Sequence, residues 1–164
     1  MRRDKENYYL DIAQTVALRG TCLRRNFGAI IVKNDEIVST GYVGAPRGRQ
    51  NCCDNGYCKR EQLGIPRGQR YELCRSVHAE ANAIISASRK DMLDATMYLC
   101  CLDAKTGEIV GDVSSCAMCR RLIINAGIKQ VVIRQGNDVY GVTTVRDWIF
   151  NDDSLTGAQD GYGA

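Results

Sequence analysis

The chain carries one histidine, and it stands in His78-Ala79-Glu80 at the start of a predicted helix, while a second predicted helix opens on Cys116-Ala117-Met118-Cys119. No other feature constrains the fold as much, because a site built from both motifs needs two helix N-termini to meet. One imidazole and two thiolates make three zinc ligands, which leaves the fourth tetrahedral position open, as a catalytic site requires. Cys116 and Cys119 lie three residues apart, so near a helix start they point to one side, and the positive end of the helix favours their thiolate forms. Positions 78 and 80 would diverge in a regular helix. His78 is therefore expected at the cap, letting Glu80 approach a zinc-bound water without ligating the metal. Such a water has its pKa lowered toward about 7, and a neighbouring carboxylate can pass its proton to a ring nitrogen and a departing amine.

The competing reading makes Cys116 and Cys119 a structural zinc knuckle or packed core thiols, with His78 a simple helix cap. The placement of the only histidine in an H-x-E pattern speaks against it, and so does Glu80, which a purely structural site does not need.

Composition narrows the class. At 164 residues the chain fits one domain with a sizeable core, and 45% hydrophobic with 25% charged residues is close to the globular average. No apolar run approaches the roughly 20 residues that span a bilayer, and Met1 to Asn7 is charged rather than apolar, so no membrane partner and a cytoplasmic location are expected. A net charge of +3 is too small to argue for a nucleic-acid partner. Nine cysteines, an odd number, suit metal ligation in a reducing compartment better than a disulfide framework.

The element pattern is α-β-β-loop-α-β-α-β-α. Residues 4–19 read as an amphipathic helix stopped by Gly20. The runs 27–33 and 37–43 read as a hairpin around Asn34-Asp35-Glu36. Residues 44–77 hold both prolines and many Gly, Arg and Cys without sustained periodicity, and a loop of that length usually has a job or a metal staple. A helix over 78–88, a strand over 95–102 with Cys100 and Cys101 as core residues, and a hairpin-type insertion over 103–115 follow. Next come a helix over 117–126 with Gly127 at its end, a strand over 129–134, a short helix over 142–150 and a polar tail, 151–164. This order predicts an α/β fold, helices covering both faces of a mixed sheet, within one domain over 1–150 that contains the 44–77 loop.

His78-Ala-Glu80 with Cys116-x-x-Cys119 resembles the zinc-dependent cytidine/deoxycytidylate deaminase superfamily. The stretches Cys22–Val32, Ser39–Gly48, Cys74–Glu80 and Ile123–Ile128 are similar to its deoxycytidylate (dCMP) deaminases, and the likeness runs from about residue 5 to 134. It implies a three-layer α/β/α fold and hydrolysis of dCMP to dUMP and ammonia, with Glu80 catalytic and His78, Cys116 and Cys119 on a catalytic zinc. It also implies a homo-oligomer, commonly a hexamer, with dCTP and dTTP as regulators and Mg2+ accompanying a regulatory nucleotide. Other substrates for the same chemistry are another cytosine nucleoside or nucleotide, or adenosine in tRNA, and a non-catalytic zinc-stabilised module is the more distant alternative. Two positions depart from the family pattern. Ser115 replaces a proline and is expected to cap the helix, and Val43 replaces an asparagine able to contact nucleotides.

Cys22, Cys52, Cys58 and Cys74 form a second constellation around the loop, with Cys53 a rival for Cys52; four thiolates suit a closed, structural zinc. In similar bacterial deaminases cysteines at these positions bind such a zinc, and spacing from Pro46 selects Cys52. Arginines cluster as Arg24-Arg25, Arg47 with Arg49, and Arg120-Arg121, and a 5′-phosphate needs such donors. Arg25 and Asn26 are the favoured substrate contacts, and the resemblance adds the Ala79 backbone N–H.

Overall fold

The computed structural model describes residues 1–151. Helix α1 (Lys5–Ala17) starts where Asp4 accepts a hydrogen bond from the Asn7 N–H. Strands β1 (Arg25–Lys33) and β2 (Glu36–Tyr42) follow as the expected hairpin; Asn34 and Asp35 both take positive φ, the conformation a tight two-residue turn demands. The long loop holds two single-turn helices, α2 (Cys52–Asn55) and α3 (Lys59–Gln62), and a 3-10 turn at Tyr71–Leu73.

Helix α4 (Ala79–Ile85) is shorter than its alanine-rich sequence suggests, because Ser88 caps a separate turn, α5 (Arg89–Met92), by accepting from the Asp91 N–H. Then come β3 (Thr96–Asp103), α6 (Ala117–Ala126), β4 (Gln130–Gly136), β5 (Val139–Thr144) and α7 (Val145–Phe150). Between β3 and α6 a turn at Gly107 brings Ile109 back to bridge Leu102, as the hairpin-type insertion predicts.

The five strands lie in the order β2-β1-β3-β4-β5, and only the β3–β4 pair is parallel. Alternate residues of β1 enter different layers. Ile30 and Val32 pack with Tyr9, Leu10 and Ala13 of α1, whereas Ala29 and Ile31 pack with Ala79 and Ala83 of α4, Ile123 of α6 and Val145 at the head of α7. The fold is thus α/β with helices on both faces, as the element order predicts. Cys100 and Cys101 are fully buried on opposite faces of β3. No helix among the described residues is long and apolar enough to cross a membrane.

One element corrects the sequence reading. The segment expected to begin a helix at 142 is the end of β5, and the helix starts only at Val145. Asp138, at positive φ, turns the chain into a hairpin with β4, and Thr144 takes the cap position, its hydroxyl donating to Asp147 at 2.6 Å. Of the proposed tail, all but Asn151 lies outside the described residues.

Candidate active site

The depth at which α4 sits on the sheet is set by β2. A Cβ at Gly41 would stand 2.3 Å from the Ala83 nitrogen and 2.4 Å from the Ala79 carbonyl oxygen, so only glycine lets the helix backbone approach this closely. Two residues earlier the Ser39 hydroxyl donates to the Ala83 carbonyl at 2.7 Å. This docking puts His78 at the N-cap of α4 in extended conformation, with Ala79 and Glu80 buried in the first turn. The motif therefore splits as predicted, with His78 outside the helical repeat and Glu80 inside it.

Helix α6 presents its own start to the same spot. Its cap is Cys116, whose Sγ accepts from the Cys119 N–H at 3.5 Å. The expectation that Ser115 caps this helix is corrected, since the sulfur occupies the position a serine hydroxyl would take. Ser115 is fully buried, with its carbonyl accepting from Arg120 Nε at 2.9 Å.

His78 Nδ1 lies 3.5 Å from Cys116 Sγ and 3.4 Å from Cys119 Sγ, and the three donor atoms all fall within 4.8 Å of one another. Zinc–nitrogen and zinc–sulfur bonds of about 2.0 and 2.3 Å meeting at a tetrahedral angle put their donor atoms about 3.5 Å apart. The two nitrogen–sulfur spacings match edges of that tetrahedron, so the donor set fits a zinc ion with one position left for another ligand. Among the described residues this is the only such group of histidine, cysteine or carboxylate side chains.

The charges of the corner are strongly coupled. A hydrogen bond with Cys119 draws the Cys116 thiol down to about 4, helped by His78 and opposed by burial. The same thiolate, with burial and the nearby Glu80, pushes Cys119 up. Burial opposes the charge on His78, yet its hydrogen bonds with Cys116 and Cys74 and the Glu80 carboxylate raise it to about 10. Glu80 is 3% exposed, and burial pushes its carboxyl up, the direction a group that alternately takes and gives a proton near neutral pH requires.

These residues form part of the wall of a cleft of about 160 Å³. Pockets that engulf a whole drug-sized ligand run roughly 300–1,000 Å³, so this cleft is small by comparison. Arg25 and Ala79 line it, and the Arg25 Nη1 is buried without a hydrogen-bond partner. Val43 also lines it, so the departure from the family asparagine falls inside the cleft. Asn26 lies outside this cleft; its Oδ1 accepts from the Cys22 N–H at 3.0 Å and fixes the chain entering β1.

Of the other arginines singled out from sequence, Arg24 lines the cleft but is paired with Glu61 at 3.1 Å. Arg47, Arg49 and Arg121 are exposed away from it. Arg120 braces the loop before Cys116, donating to Ser115 and Ser114 while stacking over Trp148. Sequence reasoning missed Arg60, Arg67 and Tyr71, which line the cleft from the long loop. The only hint was their place between Cys58 and Cys74.

The four loop cysteines gather on the same side of the molecule. Cys22, Cys58 and Cys74 line the cleft; Cys52 is buried 3.9 Å from the Ser76 hydroxyl, and Cys53 is exposed with its thiol toward Asp54. Burial chiefly, and then the charges of Cys22, Cys74 and Cys58, push the Cys52 thiol up. Among the described residues no three of these sulfurs come within the 4.8 Å that encloses the His78 group.

Residues 3–135 match the family model for the cytidine and deoxycytidylate deaminase zinc-binding region. The chain is 37% identical over 136 residues to a deoxycytidylate deaminase of Mycobacterium phage D29, covering 80% of this chain and 94% of that one. It is 31% identical over 127 residues to the deoxycytidylate deaminase of Schizosaccharomyces pombe, covering 77% of this chain but only 36% of that longer protein. In three dimensions it resembles the apo dCMP deaminase of cyanophage S-TIM5, with a TM-score of 0.58 at 26% identity over 84% of this chain and 88% of the other. With its family motif, its fold and its three donor atoms in agreement, the chain belongs to the zinc-binding cytidine and deoxycytidylate deaminase family.

Proposed function

We propose that this chain hydrolyses dCMP to dUMP and ammonia. The observation that carries the reading is the buried Glu80 beside a His78–Cys116–Cys119 donor set spaced as the corners of a zinc tetrahedron. His78, Cys116 and Cys119 would hold the metal, which supplies a Lewis acid and lowers the pKa of water toward about 7. Glu80 takes a proton from the attacking water and gives it to ring nitrogen N3. It then takes the remaining proton of that water from the new C4 hydroxyl and carries it to the exocyclic amine, so that the C4–N bond breaks, ammonia leaves and the C4 carbonyl forms. Burial keeps bulk water away from this carboxyl, so its proton goes to the substrate. The Ala79 backbone N–H, in the first turn of α4, is free of the helix ladder and positions the base.

Substrate identity at the nucleotide level rests on the similarity to deoxycytidylate deaminases and on the uncommitted Arg25 Nη1, a donor suited to a phosphate. Ammonia release from dCMP, CMP, deoxycytidine and dCTP tests the assignment. The highest kcat/KM is expected for dCMP, and absence of turnover on every member would refute it. Cys22, Cys52, Cys58 and Cys74 would hold a second, structural zinc. This is supported by Cys22, Cys58 and Cys74 lining one cleft, with Cys52 against Ser76 in its wall, and tested by elemental analysis, where two zinc ions per chain are expected and a value near one would remove the second site.

A further inference from the structure

Arg60 is buried, 5% exposed, and lies in the cleft wall. It is fixed from several sides. Nε donates to the Gln69 carbonyl at 3.1 Å, Nη2 donates to Gln69 at 2.6 Å and to Pro66 at 3.0 Å, and the guanidinium lies 4.5 Å over the Tyr71 ring. Tyr71 in turn meets the His78 imidazole edge-on at 4.9 Å. A buried guanidinium normally has a carboxylate partner, since an unpaired charge in a low-dielectric setting is costly. Among the described residues Arg60 has none within ion-pairing distance, and its Nη1 makes no hydrogen bond.

The surroundings say what would balance that charge. The cleft is lined by Arg24, Arg25, Arg60 and Arg67, and its one carboxylate is Glu80, engaged at the reacting end. Arg24 is neutralised by Glu61, and that ion pair joins the immediate neighbours of Arg25 and Arg60, bringing the start of β1 against α3. Two guanidinium groups, each with an uncommitted Nη1, therefore line one cleft from adjoining elements. A phosphate monoester offers anionic acceptor oxygens to both, a match for guanidinium donors.

We infer that Arg60 binds the 5′-phosphate of the nucleotide together with Arg25, making the 59–73 segment the part of the site that selects a nucleoside monophosphate over a nucleoside. The inference rests on the deaminase reading of the same cleft. Its test is the dissociation constant of dUMP, measured by calorimetry on zinc-loaded wild type, Arg60→Gln and Arg60→Lys, with zinc content determined on each sample and deoxyuridine titrated in parallel.

Arg60→Gln should weaken dUMP about 10- to 100-fold, the loss of a charge-assisted hydrogen bond, and Arg60→Lys should weaken it less, with wild-type zinc content in both. Wild-type dUMP affinity in Arg60→Gln overturns the assignment. So does equal weakening of dUMP and deoxyuridine, or loss of zinc in both variants, since either makes Arg60 only a brace for the loop. Ammonia release from dCMP by the wild type separates the two claims. If dCMP is not turned over but Arg60→Gln still loses dUMP, the deamination reading falls and the phosphate contact stands.

Discussion

Two regions meet at the cleft, and they are built on different principles. The corner formed by α4 and α6 is held from below by the sheet: Gly41 and Ser39 dock one helix, and Ile123 and Ala126 anchor the other in the core. The arm over 59–73 has almost no core. It is held by Arg60 bonding backbone carbonyls and by the Arg24–Glu61 pair. Packing can preform the donor atoms of the corner without help from a ligand. The arm depends on polar contacts, and a bound metal would contribute directly to its stability. The donor-atom corner is thus built on core packing, and the arm on polar contacts at the surface.

The sharpest probe of the corner is Glu80→Gln. The amide keeps the shape of the side chain but cannot shuttle protons, so dCMP turnover should fall by about 10⁴ or more with zinc still bound, as ammonia release and metal analysis would show. Near wild-type turnover would remove Glu80 from the mechanism. Gly41→Ala tests whether the sheet sets the geometry of the corner. A methyl pressed on the α4 backbone should cost about 1–3 kcal/mol in denaturant unfolding and reduce activity as well, and an unchanged midpoint would mean that α4 docks by other means.

Arg25→Ala should lower kcat/KM for dCMP about tenfold and leave the metal in place, reaching the corner's neighbour without disturbing the corner. Cys58→Ser should have the smallest global effect. It is expected to remove one zinc per chain and speed hydrogen exchange over 59–73 while the amides of β1, β3 and β4 stay protected. Exchange spreading through the sheet would break the contrast between the regions.

Legibility from sequence divides along the same line. The corner could be read because its chemistry is local: H-x-E and C-x-x-C at helix starts already dictate which side chains face together. The β1–β2 hairpin could be read because Asn34 and Asp35 tolerate positive φ. The arm could not, because Arg60 is fixed by the carbonyls of Pro66 and Gln69, and backbone acceptors leave no mark on side-chain patterning. Strand β5 was hidden for another reason. Val142, Val145 and Ile149 fit a helical spacing, while Val142 belongs to a strand whose pairing with β4 depends on a distant partner.

The cap of α6 carries a consequence of its own. Helices usually begin on a hydroxyl or carboxylate, groups that tolerate most reagents, whereas this one begins on a thiol that is also one of the three donor atoms. Alkylation of Cys116 would therefore take a donor from the site and a cap from the helix together. Inactivation by a thiol reagent should accordingly be accompanied by fraying at Ala117–Cys119, so that damage to the chemistry also registers as damage to the scaffold.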